Sequence, residues 1–125
     1  MRYLCLIHLD PQQLDALTPA ETSSLNAAHL DLNDDLRRSG NFLIAEALEP
    51  PEQSACVRMR NGQMSVTDGP FAETKEMIAG FYMIEADDMK EALAIAARIP
   101  AAVMGTVEVR PARQLIVEGR ERRWG

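Results

Sequence analysis

Few residues in this chain could do proton chemistry. There are two histidines, His8 and His29. Imidazole is the side chain whose ordinary pKa, about 6.5, suits proton transfer at neutral pH. His29 falls in the run Leu25, Ala28, His29, Leu32, Leu36, whose spacing makes one helical face. It reads either as a general base or acid, or as a core histidine bonded to a backbone carbonyl or to Asn33. The second group is the stretch TDGPFAETKE, residues 67–76. Asp68 offers a carboxylate that could orient an imidazole. Phe71 offers a pocket wall, and Thr74 and Lys75 could hold a hydroxylated or anionic substrate. Arg58 could grip a carboxylate. Each has a plainer reading. Asp before Gly is a common turn residue. Phe71 could plug the core, and Glu73 to Glu76 could be a solvated charge run. Arg58 and Arg60 could be exposed strand charges.

Other chemistries find little support. The two histidines lie on separate elements, and there is no His-x-Glu or Cys-x-x-Cys spacing, so no metal site is expected. Cys5 and Cys56 both fall in strand-like runs and read as buried free thiols in a reducing cytoplasm. No phosphate-binding glycine loop or nucleotide fingerprint occurs, and no cofactor is expected. The net charge of −6 argues against nucleic acid, because nothing would neutralise phosphates. No run is long and apolar enough to span a bilayer. The start MRYLCLIHLD lacks a signal-peptide cleavage pattern and reads as a first strand.

The elements that must position these residues are legible. The 125 residues suit one domain, over 1–113, with 114–125 as an extension or tail. Residues 2–8 form a strand ended by Asp10-Pro11. Thr18 as N-cap, Pro19 at the first helical position and Glu21 in a capping box open a helix that Gly40 closes. Residues 42–48 form a strand. Asn61-Gly62 marks a hairpin that pairs Met59 with Met64 and Val57 with Val66, with Arg58 and Ser65 on the other face. Residues 79–86 form another strand. A helix follows with Asp87 or Asp88 as N-cap and Met89, Leu93 and Ala96 on one face. Residues 105–111 close the pattern, residues 114–117 suggest a short edge strand, and RERRW reads as a frayed tail. The order β-α-β, hairpin, β-α-β predicts an α+β fold, a ferredoxin-like split β-α-β with an inserted β-hairpin. Both helices then cover one sheet face, and the bare face predicts a homodimer packed sheet to sheet.

With these elements in place, TDGPFAETKE resembles the signature of the YCII-related, or DGPF, family. MRYLCLI, VRMRNGQMSVTDGPFAETKE, GFYMIEADDMKEALAIAARIP and GTVEVRP follow in that family's order, over roughly residues 1–113. The resemblance implies a dimeric αβ-barrel and an active site suspected from a histidine and an aspartate. The histidine maps onto His29, in Ala28-His29-Leu30. The aspartate has no counterpart, because Arg37-Arg38-Ser39 stands at that place, which leaves Asp68 as the replacement acid. The expected function is that of a small cofactor-free enzyme, a lyase or isomerase working by proton transfer on a small metabolite in the cytoplasm. His29 and Asp68 would be catalytic, with Arg58, Phe71, Thr74 and Lys75 binding substrate. The alternatives are a ligand-sensing or protein-interaction module without turnover, and a purely structural dimer unit.

Overall fold

The computed structural model describes all 125 residues. In chain order the elements are β1 (Arg2–Leu9), α1 (Pro11–Asp15), α2 (Pro19–Ser39), β2 (Phe42–Ala47), β3 (Ala55–Arg60), β4 (Gln63–Asp68), β5 (Met77–Glu85), α3 (Met89–Ala96), β6 (Thr106–Pro111), β7 (Leu115–Val117) and β8 (Arg120–Arg122). Short 3-10 turns add Pro51–Gln53 and Pro100–Val103. The fold is mixed α+β. Its centre is a four-stranded antiparallel sheet in the order β2-β5-β1-β6. No helix is long and apolar enough to cross a membrane.

Strict alternation in β1 sends Tyr3, Cys5, Ile7 and Leu9 to one face, where all are buried. Tyr82 and Ile84 of β5 join them, and Leu32 and Leu36 of α2 cover them together with Ala92, Ile95 and Ala96 of α3. Burial pushes the Cys5 thiol up to about 11, so it behaves as a small apolar filler. The opposite face carries Leu4, Leu6, Phe81 and Met83, none of them fully buried, and no helix covers it.

The local signals act where the sequence places them. The Thr18 side chain accepts from the Glu21 backbone N–H, and the Glu21 carboxylate accepts from the Thr18 N–H at 3.0 Å, a complete capping box. Those bonds hold the Glu21 carboxyl below the usual range. Gly40 closes α2 at φ +80°, the left-handed conformation that glycine adopts without strain. Asn61 and Gly62 take φ +52° and +73°, the geometry of a primed hairpin turn. The predicted register follows, with Met59 opposite Met64, Val57 opposite Val66 and Arg58 opposite Ser65.

Three expectations are corrected, and one helix is new. Helix α1 was not anticipated; the Asp10 side chain caps it through the Gln12 N–H, and Pro11 opens it. Ala96 is buried as expected, but with Ala92 and Ile95, whereas Met89 and Leu93 are 36% and 52% exposed. Residues 115–117 do not extend the main sheet; they pair with β8 in a separate ribbon. The tail is therefore ordered through residue 122, turned by Glu118 and Gly119 at φ +51° and +74°.

Candidate functional site

A cavity of about 660 Å³ opens beside the end of β1. Its walls are the 48–56 segment, the loop 70–76 and the first residues of β5. The base of the hairpin holds those walls together. The Gly69 N–H donates to the Ser54 carbonyl at 2.7 Å, and the Cys56 thiol donates to the Gly69 carbonyl at 3.5 Å. Gly69 takes φ +99°, and nothing lies within 4 Å of where a Cβ would be. Backbone conformation, not space, is what requires glycine in Asp-Gly-Pro.

His8 stands on the cavity wall. Alternation along β1 puts it on the face opposite Ile7 and Leu9. A bulge between Ile7 and His8 in the β1–β5 ladder sets Ile78 across from it. The β1–β6 register places Thr106 opposite His8 and Glu108 opposite Leu6, so Glu108 is the diagonal neighbour of His8 on one face. His8 Nε2 and Glu108 Oε1 are 3.2 Å apart, and Arg110 donates to the other Glu108 oxygen at 3.0 Å. An imidazole facing a carboxylate presents its N–H there, which fixes the ring's orientation and leaves Nδ1 as the free nitrogen. Beside it, Thr106 donates to Glu76 Oε1 at 3.0 Å, tying the end of the loop to β6.

The residues picked out from the sequence divide between this cavity and other places. Phe71 and Thr74 line the cavity. Phe71 is 86% exposed, so it does not plug the core; the loop carries it outward to the cavity's lip. Thr74 donates its hydroxyl to the Glu76 carbonyl, which curls the loop. Cys56, expected in the core, is half-buried and also lines the cavity, because β3 belongs to the projecting hairpin and not to the main sheet. Asp68 ends β4 opposite Ala55, exposed and outside the cavity wall. Arg58 and Lys75 are exposed, form no ion pair and do not line the cavity.

His29 and Asp68 form no hydrogen bond with each other. The His29 ring lies on the helix-covered face, with Nδ1 2.9 Å from the Tyr82 hydroxyl. The ring centroids are 6.0 Å apart, and Phe42 meets Tyr82 edge-on at 6.4 Å. Asn33, the other partner considered for His29, leaves its side-chain oxygen buried and unbonded. Burial lowers the His29 pKa below 6.5 and pushes the Tyr82 hydroxyl up to about 12, so both are neutral near pH 7. The native state then binds fewer protons at His29 than the unfolded chain. Its contribution to stability is fully present above pH 6.5, falls as pH drops from 6.5 to the lowered value, and is level below that. Thermal unfolding followed between pH 8 and pH 5 should show this decline in the wild-type protein. In His29→Gln that part of the slope should vanish.

His8, Glu76 and Glu108 were not picked out as site residues. Parity along β1 puts His8 on the bare face. No local pattern shows that β6 will bring Glu108 beside it. No group of three His, Cys, Asp or Glu side chains converges as a metal site would require.

The YCII-related domain family matches residues 1–116. A curated Rhizobium meliloti (strain 1021) protein, named Uncharacterized protein R00369, is 44% identical over 66 residues, which cover 51% of this chain and 53% of that relative. The chain thus spans about half the length of the curated relative it matches. The match of the YCII-related model takes in the main sheet, both longer helices, the hairpin and the cavity loop, and by it this chain belongs to the YCII-related family.

Proposed function

We propose that the protein is a small enzyme of the lyase or isomerase type that moves a proton with His8 in the cavity beside the 70–76 loop. The observation that carries this reading is that His8, which lines the cavity, is paired with Glu108. Glu108 holds Nε2–H, and Nδ1 takes a proton from a carbon acid and returns it at the same or a neighbouring position. His29 suits the role less well. One of its nitrogens is committed to Tyr82, and burial favours its neutral form. The step appears in D2O as exchange of deuterium into a bound ligand, read by proton NMR. Wild type and His29→Gln should exchange. His8→Gln should lose the exchange by at least about 100-fold, the usual contribution of a positioned acid or base. Saturable binding with no exchange in the wild type would favour the second reading, a ligand-sensing module, for which the cavity suffices.

The same proposal includes a ferredoxin-like topology and a homodimer. The strand order β2-β5-β1-β6, with α2 and α3 on one face, supports the former. Leu4, Leu6, Phe81 and Met83 on the uncovered face support the latter, because a second copy laid sheet to sheet would bury them. Sedimentation equilibrium should give twice the 13.9 kDa chain mass, and Phe81→Asp should return the single-chain value.

A further inference from the structure

The cavity wall that holds His8 also determines which ligands the cavity accepts. No lysine or arginine lines it. The ionisable wall residues besides His8 and Cys56 are Glu49 and Glu76. Neither carboxylate forms an ion pair within the chain. Glu76 Oε1 accepts from Thr106, while Oε2 has no hydrogen-bond partner. It is half-buried, so it meets a ligand in a setting less screened than open water. Much of the remaining wall is apolar, including Pro50, Pro70, Met77 and Ile78. At the lip stands Phe71, whose largely exposed ring can turn its negative face toward a cation.

From this we infer that the cavity is selective for a small organic amine, a cationic nitrogen on an apolar or aromatic body, with Glu76 as its anchor. The inference rests on the cavity being a ligand site, but not on His8 doing chemistry. The apolar walls take the body, Glu76 Oε2 accepts from the ammonium N–H, and Phe71 closes over the charge. An anion of the same shape would lie against two carboxylates with no lysine or arginine to offset them, at a cost that disfavours it.

Three probes with one skeleton separate charge from shape: benzylamine, benzyl alcohol and benzoate, titrated at pH 7.5 and followed by amide NMR shifts. Benzylamine should shift the amides of residues 71–77 and bind on the order of tenfold more tightly than benzyl alcohol, as one charge-assisted hydrogen bond implies. Benzoate should not bind. Glu76→Gln keeps the acceptor for Thr106 and removes the charge, so benzylamine should fall to the alcohol's affinity. Equal binding of all three probes, tighter binding of benzoate, or an amine affinity unchanged in Glu76→Gln would overturn the inference. Deuterium exchange, read beside probe preference in the wild type, separates the two claims. Retained amine preference with no deuterium exchange in the wild type sinks the catalytic reading alone. Intact exchange with a preference for benzoate sinks the amine inference alone. No binding by any probe overturns both.

Discussion

Gly105→Ala should cost about 3 kcal/mol, the upper end of ordinary overpacking, and lower the unfolding midpoint by roughly 10 °C. A Cβ at residue 105 would come within 2.1 Å of the His8 carbonyl oxygen, 2.7 Å of Leu9 Cδ2 and 3.1 Å of Glu76 Oε2. The first neighbour is backbone, so relief requires moving β1 or the turn into β6. The same displacement would disturb the His8–Glu108 contact and the Thr106–Glu76 bond, both of which depend on the β1–β6 register. Ligand binding should therefore fall together with stability. Gly62→Ala is the control. Residue 62 has φ +73° and nothing within 4 Å, so the variant should lose only the strain of a left-handed alanine, about 1 kcal/mol, and keep the cavity. Differential scanning calorimetry on both variants checks this, and equal losses would show that the close approach at residue 105 is relieved without cost.

Leu36→Ala should be the most damaging truncation in α2, at about 2–5 kcal/mol. Leu36 is fully buried against the sheet, in the same cluster as Ile84 and Cys5. Its loss removes apolar contact and leaves a void that the rigid sheet cannot fill. Leu30, on the same helix, is 64% exposed, and Leu30→Ala should stay within about 0.5 kcal/mol. Chemical denaturation of the pair tests which face of α2 supports the core. Similar midpoints for the two variants would mean that α2 is not docked through Leu32 and Leu36.

Capping and turn chemistry is local, which is why so much of the fold can be read directly. Thr18, Pro19 and Glu21 satisfy helix N–H groups within one turn, and Asn61-Gly62 sets a register by its own dihedral angles. Neither depends on distant residues. The readings that failed depend on distant partners. Met89 and Leu93 look like the packing side of α3 together with Ala96 because they are large and apolar, yet only Ala96 of the three is buried, beside Ala92 and Ile95. Phe71 resembles a core anchor by type, but its loop is held away from the core by Gly69–Ser54 and Thr106–Glu76, bonds 15 and 30 residues apart in sequence.

The candidate site divides the same way. The sequence by itself determined that Asp68-Gly69-Pro70 would turn the chain from the hairpin toward the next strand, which strands and helices would follow in order, and that one sheet face would lack a helix. Those outcomes follow from short-range propensity and from the periods of strand and helix. It also placed His29 on an inward helical face, where burial makes it a neutral partner of Tyr82. Only the tertiary structure decided which histidine meets a carboxylate beside a cavity. His8 and Glu108 are 100 residues apart, and they meet because β1 and β6 pair antiparallel in one register. A shift of one residue in that pairing would turn Glu108 to the opposite face. That choice is made by the packing of the whole sheet against α2 and α3, and no short stretch of the chain contains it.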